Sequence, residues 1–466
     1  MIQAGFFECD ITPPLGAERP ATFYKLRIEK YSDPLKIRAL ALSDGKTRVA
    51  LVGSDNVGCG PVFLRRLKEA LPGIDVIHSA SHTHYGGNLR DKFPGIDEAD
   101  EVLRRLVLVE SVAHDANYYE FCLRQAITAV TMAFENLQDV DFSFGSARVE
   151  GLIFNRRIRM KDGSVKTHPG KGNPDSVGYA GPVDDQLGVM GVWKHGTEEL
   201  LGFALNYSCH ACINMEGATA DFPGVAIDTV RGTYGAKAGA VFLQGASGDI
   251  TQIDNMSLRK DTGKPIATKL GRALGGEAIR LLATADRGPL ETLKVLKETY
   301  ICKRQKVDPD EIAAAEKKVQ VYEDSNDYKI AKTLYVGAVA AKADPNPAVE
   351  LAVLQIGPLV IGSVPDEPFA RYALDFKAQS KFPFTWFSQL SVGRSYIPSP
   401  DAFDPKTGGG YEASTAKFVP ETGTEITEII SRLSQQLTPE AVPPPVTVKP
   451  QNAVWGFNFK RKGSAN

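Results

Sequence analysis

A single large mixed α/β domain is the fold this sequence predicts, and three observations predict it. Strand and helix signals alternate along the chain, and a strand–helix–strand unit occupies residues 49–80. Through residue 440 of 466 there is neither an internal repeat nor a flexible linker. Third, polar clusters recur at the ends of predicted strands, where open α/β sheets build their sites. The expected organisation is one domain over residues 1–440, with a charged helical insertion at about 308–341, followed by a proline-rich tail over 441–466.

Val49-Ala50-Leu51-Val52-Gly53 is a short apolar run that reads as a buried strand. Pro61 opens a helix with Phe63, Leu64, Leu67 and Leu71 at helical spacing, and Pro72-Gly73 stops it. Asp75 to Ala80 is the next strand, so the unit implies two parallel strands joined by a right-handed crossover. A long helix follows over about Asn117–Leu137, then strands near Asp141–Val149, Gly188–Trp193, Leu200–Tyr207 and Ala240–Gln244. A helix is expected around Ala267–Leu282. Asp308-Pro309-Asp310-Glu311 then offers a cap, a first-turn proline and an acid at the third position, which starts a charged helical stretch. Val349–Ile356 and Leu359–Val364 flank Gly357-Pro358 as an antiparallel hairpin, and Ile426, Ile429, Ile430, Leu433 and Leu437 mark a last amphipathic helix. Pro439 to Pro450, with Pro443-Pro444-Pro445, is extended.

Composition excludes several classes of partner. A net charge of −2 supplies no electrostatic footprint for nucleic acid, and no apolar stretch approaches the roughly 18 residues that span a bilayer. Met1 to Asp10 lacks a basic segment and a long apolar core, which predicts a cytoplasmic protein with no signal peptide, export with a removed signal being left open. Cysteines 9, 59, 122, 209, 212 and 302 are scattered and predicted to be reduced. Cys209-x-x-Cys212 has no second pair and reads as structural.

The chemistry lies elsewhere. Of seven histidines, His78, His82 and His84 fall in one seven-residue window. In an extended segment His82 and His84 would project to the same side, facing one point as a divalent metal requires. Three further strand ends carry His210, Gly245–Thr251 and Glu367, and a turn-rich loop carries Gly393-Arg394-Ser395-Tyr396-Ile397-Pro398. Two histidines from separate strands plus a carboxylate form a common catalytic zinc set with one position open. Gly245-Ala246-Ser247-Gly248 suggests an anion nest, or a nucleophile elbow spoiled by Asp249.

The ordered set carries a resemblance. Gly5 with Asp10-Ile11-Thr12-Pro13, Ser81-His82-Thr83-His84-Tyr85-Gly86-Gly87, Asn155-Arg156-Arg157 and Asn206–His210 come first. They are followed by Gly248-Asp249-Ile250-Thr251-Gln252, Pro365-Asp366-Glu367, Tyr396-Ile397-Pro398 and Tyr411-Glu412. Together they resemble the neutral (alkaline) ceramidase family, zinc amidases that cut the N-acyl bond of ceramide. The resemblance implies His82, His210, Glu367 and Tyr396 as zinc ligands. It turns His84 toward the substrate beside Arg156 and Tyr411, whereas chemistry alone puts both His82 and His84 on the metal. Thr251 stands at the family's serine position, the histidine motif is one residue shorter, and the family's C-terminal immunoglobulin-like domain has no counterpart.

The sequence reading is therefore a Zn2+-dependent hydrolase acting on an N-acyl amide by zinc-activated water. Arg156 and Thr251 would orient the substrate, and His84 would protonate the leaving amine. The competing readings are an esterase or carbohydrate-processing enzyme on the same fold, and a metal-stabilised binding protein. The expected partner is a small-molecule or lipid-like N-acyl compound. Short acyl groups are expected to be preferred, with Trp455, Phe457, Phe459 and Lys460-Arg461-Lys462 as the only candidate membrane contact.

Overall fold

The structure, a computed structural model, describes residues 1–20, 25–214, 216–393 and 395–445. Arg394 and the aromatic–basic tail singled out above lie outside the described residues. The larger sheet is built in chain order from β1 (Gln3–Asp10), β2 (Lys36–Ser43), β3 (Arg48–Ser54), β4 (Asp75–Ala80), β5 (Gln138–Arg148), β6 (Gln186–Lys194), β7 (Leu200–Tyr207), β8 (Gly239–Gln244) and the short β9 (Arg287–Gly288). Its spatial order is β8-β7-β6-β5-β1-β2-β3-β4, with β9 beside β5. The β3–β4 and β7–β8 pairs are parallel and the other pairs are antiparallel. A second sheet runs β10 (Leu293–Ile301), β11 (Ala348–Ile356), β12 (Leu359–Ser363), β13 (Phe384–Ser388), and only β12 and β13 are parallel.

Side-chain alternation along these strands sets the layers. On β3, Ala50 and Val52 face α1 (Pro61–Glu69) and α2 (Ala116–Glu135), while Val49 and Leu51 face the second sheet. On β8, Ala240 and Phe242 pack against α3 (Asp221–Tyr234) and α4 (Lys264–Thr284), while Val241 and Leu243 face inward. In the second sheet Leu354 and Ile361 meet that inner core. Val353 and Val360 turn outward to α7 (Ala370–Gln379) and α8 (Thr422–Gln435). The result is four layers: helices, nine-stranded sheet, four-stranded sheet, helices.

The predicted parallel strand–helix–strand unit is present as β3-α1-β4, and the predicted hairpin as β11-β12. The stretch starting at Asp308 is two helices, α5 (Pro309–Lys318) and α6 (Asn326–Ala343), with the Asp308 carboxylate capping α5 by accepting from the Asp310 amide. They pack through Ala315 and Tyr328 against Leu103 and Leu106 of the segment that follows the histidine motif. Among the described residues no helix is long and apolar enough to cross a membrane.

Candidate active site

Five strand ends converge. His82 follows β4, His210 follows β7, the Gly245–Thr251 loop follows β8, Glu367 follows β12 and Tyr396 follows β13. These are strands of the three parallel pairs, whose carboxyl ends point the same way within each pair. The site sits at the rim where both sheets end.

His82 and His84 do meet, though not by strand alternation. The strand stops at Ala80, and His82 takes a left-handed backbone with φ of 65°. The chain turns, so that the His84 amide donates to the Ala211 carbonyl at 3.0 Å. The two rings end 4.9 Å apart and nearly perpendicular. The extended reading of this segment is therefore corrected: a turn, held by Thr83 donating to the Thr219 carbonyl, produces the convergence.

The imidazole Nδ1 atoms identify the working nitrogens. His82 Nδ1 lies 2.8 Å from the Val57 carbonyl and His210 Nδ1 lies 2.7 Å from the Ser247 carbonyl. A carbonyl only accepts, so both Nδ1 atoms carry hydrogen and each neutral ring presents a lone pair at Nε2. Those two Nε2 atoms stand 3.2 and 3.3 Å from one oxygen, Glu367 Oε2. That oxygen is buried and, among the described residues, accepts no hydrogen bond. Three lone pairs aimed at one another repel unless a cation stands between them. Burial and the adjacent Arg156 charge hold His210 down to about 4, so at neutral pH a proton does not supply that cation at this ring. Burial alone would raise the Glu367 carboxyl, and what holds it below the usual carboxylate range is positive charge at the His82 and His210 ring nitrogens, so the ionised form calls for a cation at this point. This donor set fits a metal ion.

His84 reaches the same point, with Nε2 3.4 Å from His82 Nε2, and the three imidazoles each bring a nitrogen within 4.8 Å of the others. Burial, then the His82 and His210 rings, keep His84 well below the ordinary histidine range. Tyr396 is placed beside Glu367 by a short parallel pairing in which the two residues are register partners. Its ring lies 6.4 Å from that of His210, and burial pushes its phenol well above the usual range.

Arg156 is buried and fully engaged. Its Nε donates to Glu412 Oε1 at 2.5 Å and Nη2 to the Gly248 carbonyl at 2.7 Å, leaving Nη1 3.3 Å from His210 Nε2. The guanidinium also lies 5.2 Å from the Tyr396 ring centre. Tyr411, more than a third exposed, sets its ring against Tyr396 at 5.5 Å, at the outer edge of the cluster. Thr251 is buried, and its hydroxyl is used within its own loop. It donates to Gln252 Oε1 at 3.1 Å and accepts from the Ile253 amide at 3.3 Å.

The glycine loop is not an anion nest. A nest points amides at its ligand, but here the Ser247 and Gly248 amides are taken by Gln389 Oε1 and the Pro368 carbonyl. The carbonyls of the same two residues face His210 and Arg156. The elbow reading fails for a similar reason. The Ser247 hydroxyl is buried between the side-chain amides of Gln244 and Gln389, at 2.9 and 2.8 Å. Asp249, pushed up to about 6 by burial, ties the loop to α7 and to Asn155 by accepting from the Ala370 amide and Asn155 Nδ2. Cys209 and Cys212 are free thiols.

Sequence reasoning assigned no role to Glu412, although it is the fully buried counter-charge of Arg156. The available signal was an acid directly after Gly408-Gly409-Gly410-Tyr411. Nor did it single out His168, whose amide donates to the Arg156 carbonyl and whose ring meets Asn255 at 3.3 Å.

No protein family model matches this chain, and no curated protein matches it. Among solved structures, a neutral ceramidase from Pseudomonas aeruginosa matches over 95% of this chain and 76% of its own, with a TM-score of 0.67 and 16% identity. A ceramidase complexed with C2 matches over 99% of this chain and 79% of its own, with a TM-score of 0.66 and 17% identity. At such identities the likeness is one of fold, and it extends over nearly the whole chain.

Proposed function

From the fold shared with neutral ceramidases, we propose that this protein is a zinc-dependent hydrolase of N-acyl amide bonds. One observation supports this most strongly: a buried Glu367 oxygen, without a hydrogen-bond partner among the described residues, faced by two imidazole nitrogens whose other nitrogens are pinned to carbonyls. Two imidazoles and a carboxylate suit zinc, with Tyr396 beside Glu367 as the fourth donor that the family resemblance implies. When bound, such an ion would polarise the scissile carbonyl and make a water nucleophilic near neutral pH.

The chain's own residues do the rest. Arg156 Nη1 faces His210 Nε2, the guanidinium also bonds Tyr396, and the group is aimed at the metal point. There it donates to negative charge developing on the carbonyl oxygen. His84, kept neutral by burial, accepts the proton of the attacking water and returns it to the leaving amine. Tyr411 forms the outer wall of the substrate path. Thr251 supports its loop through its bonds to Gln252 and the Ile253 amide.

Metal analysis combined with a panel of N-acyl substrates tests the proposal. Purified protein should carry about one zinc per chain, lost on chelation together with amide hydrolysis, and short N-acyl compounds should be cleaved faster than long-chain ceramide. Hydrolysis that survives complete removal of metal would overturn it.

A further inference from the structure

Glu412 is delivered to the site by an unusual piece of backbone. Gly409 and Gly410 adopt φ of 105° and 95°, which L side chains rarely take. A Cβ on Gly410 would also lie 2.9 Å from Thr167 Oγ1 and 3.2 Å from Glu412 Oε2. The turn opens the short helix Tyr411–Thr415 and drops Glu412 into full burial. Glu412 Oε1 takes Arg156 Nε and Oε2 takes the Thr167 hydroxyl, both at 2.5 Å. Thr167 also accepts from the Tyr411 amide at 2.9 Å, which closes the clamp on its own turn. A guanidinium is planar, so fixing Nε by Glu412 and Nη2 by the Gly248 carbonyl fixes the direction of Nη1.

We propose that Glu412 is a positioning residue that acts through Arg156, locking the guanidinium so that Nη1 faces the point where the three histidines and Glu367 converge. This rests on the metal-hydrolase reading and adds a prediction that reading does not make. An unclamped Arg156 keeps its charge and loses its aim, so Glu412 matters only while Arg156 is present.

The test is a double-variant cycle read by ligand binding rather than turnover. Full-length protein is loaded with Co2+, and acetohydroxamate is titrated against the visible Co2+ spectrum. Glu412→Gln and Arg156→Lys should each retain Co2+ and weaken acetohydroxamate by about tenfold. The double variant should bind no more weakly than Arg156→Lys alone. If Glu412→Gln does not fold, Thr167→Val, which frees Glu412 Oε2, should give a smaller loss that also vanishes in the Arg156→Lys background. Losses that multiply in the double variant, or unchanged affinity in Glu412→Gln, would overturn the positioning role while leaving the metal site standing. Wild-type protein that takes up no Co2+ would overturn both readings.

Discussion

At the scale of single residues, His82, His84, His210 and Glu367 were legible because histidine is scarce here and each of the four follows a readable strand. Their geometry was not legible, since a left-handed residue at position 82 replaces the extended segment that alternation assumes. Glu412 belonged to a quoted motif but its role was not legible, because only the fold shows that a glycine turn buries it against Arg156. The role of His84 separates two chemistries. His210→Ala and Glu367→Ala should lose zinc, whereas His84→Ala should keep it and lose hydrolysis. Zinc loss in His84→Ala equal to that in His82→Ala, measured by elemental analysis, would make His84 a third ligand.

A different histidine, outside the site, should add to the acid sensitivity of the fold. His78 is buried, with Nδ1 on the Ser391 carbonyl at 2.9 Å and Nε2 on Ser54 Oγ at 2.7 Å, and burial lowers it to about 4. The unfolded chain therefore binds the extra proton first as pH falls below about 6.5. The folded state loses on the order of 3 kcal/mol as pH drops from there toward 4. Denaturant midpoints of metal-free protein across that window should fall with acid. His78→Asn should be less stable at pH 7 and less sensitive to pH below it.

At the scale of elements, strands with continuous apolar runs, such as β3 and β7, and helices with clean periodicity, such as α1 and α8, were readable from sequence. The helix α3 was not, because Pro223-Gly224 in its first turn reads as a loop signal. The edge strand β10 was also missed, since Lys294, Lys297 and Glu298 interrupt its apolar residues. The loop after β8 shows how closely elements meet at the site. A Cβ on Gly248 would stand 2.3 Å from the Glu367 carbonyl oxygen, so the segments following β8 and β12 approach there at backbone distance. Gly248→Ala should push the Glu367 loop outward. We expect a loss of about 1–3 kcal/mol of stability together with weakened zinc retention, read from denaturant midpoints and metal content.

At the scale of the whole molecule, the mixed α/β class and the ordered motifs were visible in one dimension. The pairing of two sheets face to face was not, because which face of a strand meets which layer is decided only by packing. That pairing has a kinetic consequence. The point of convergence takes His82 and His210 from the first sheet and Glu367 from the second, so no sub-assembly of either sheet contains it. The site can form only after the sheets dock, late in folding, when most native surface is already buried. An ion bound there would act as a rivet set after assembly. Stopped-flow measurements should show zinc leaving the refolding rate nearly unchanged while slowing unfolding. The lifetime of the native state, more than the speed of reaching it, would then track the free zinc concentration around the protein.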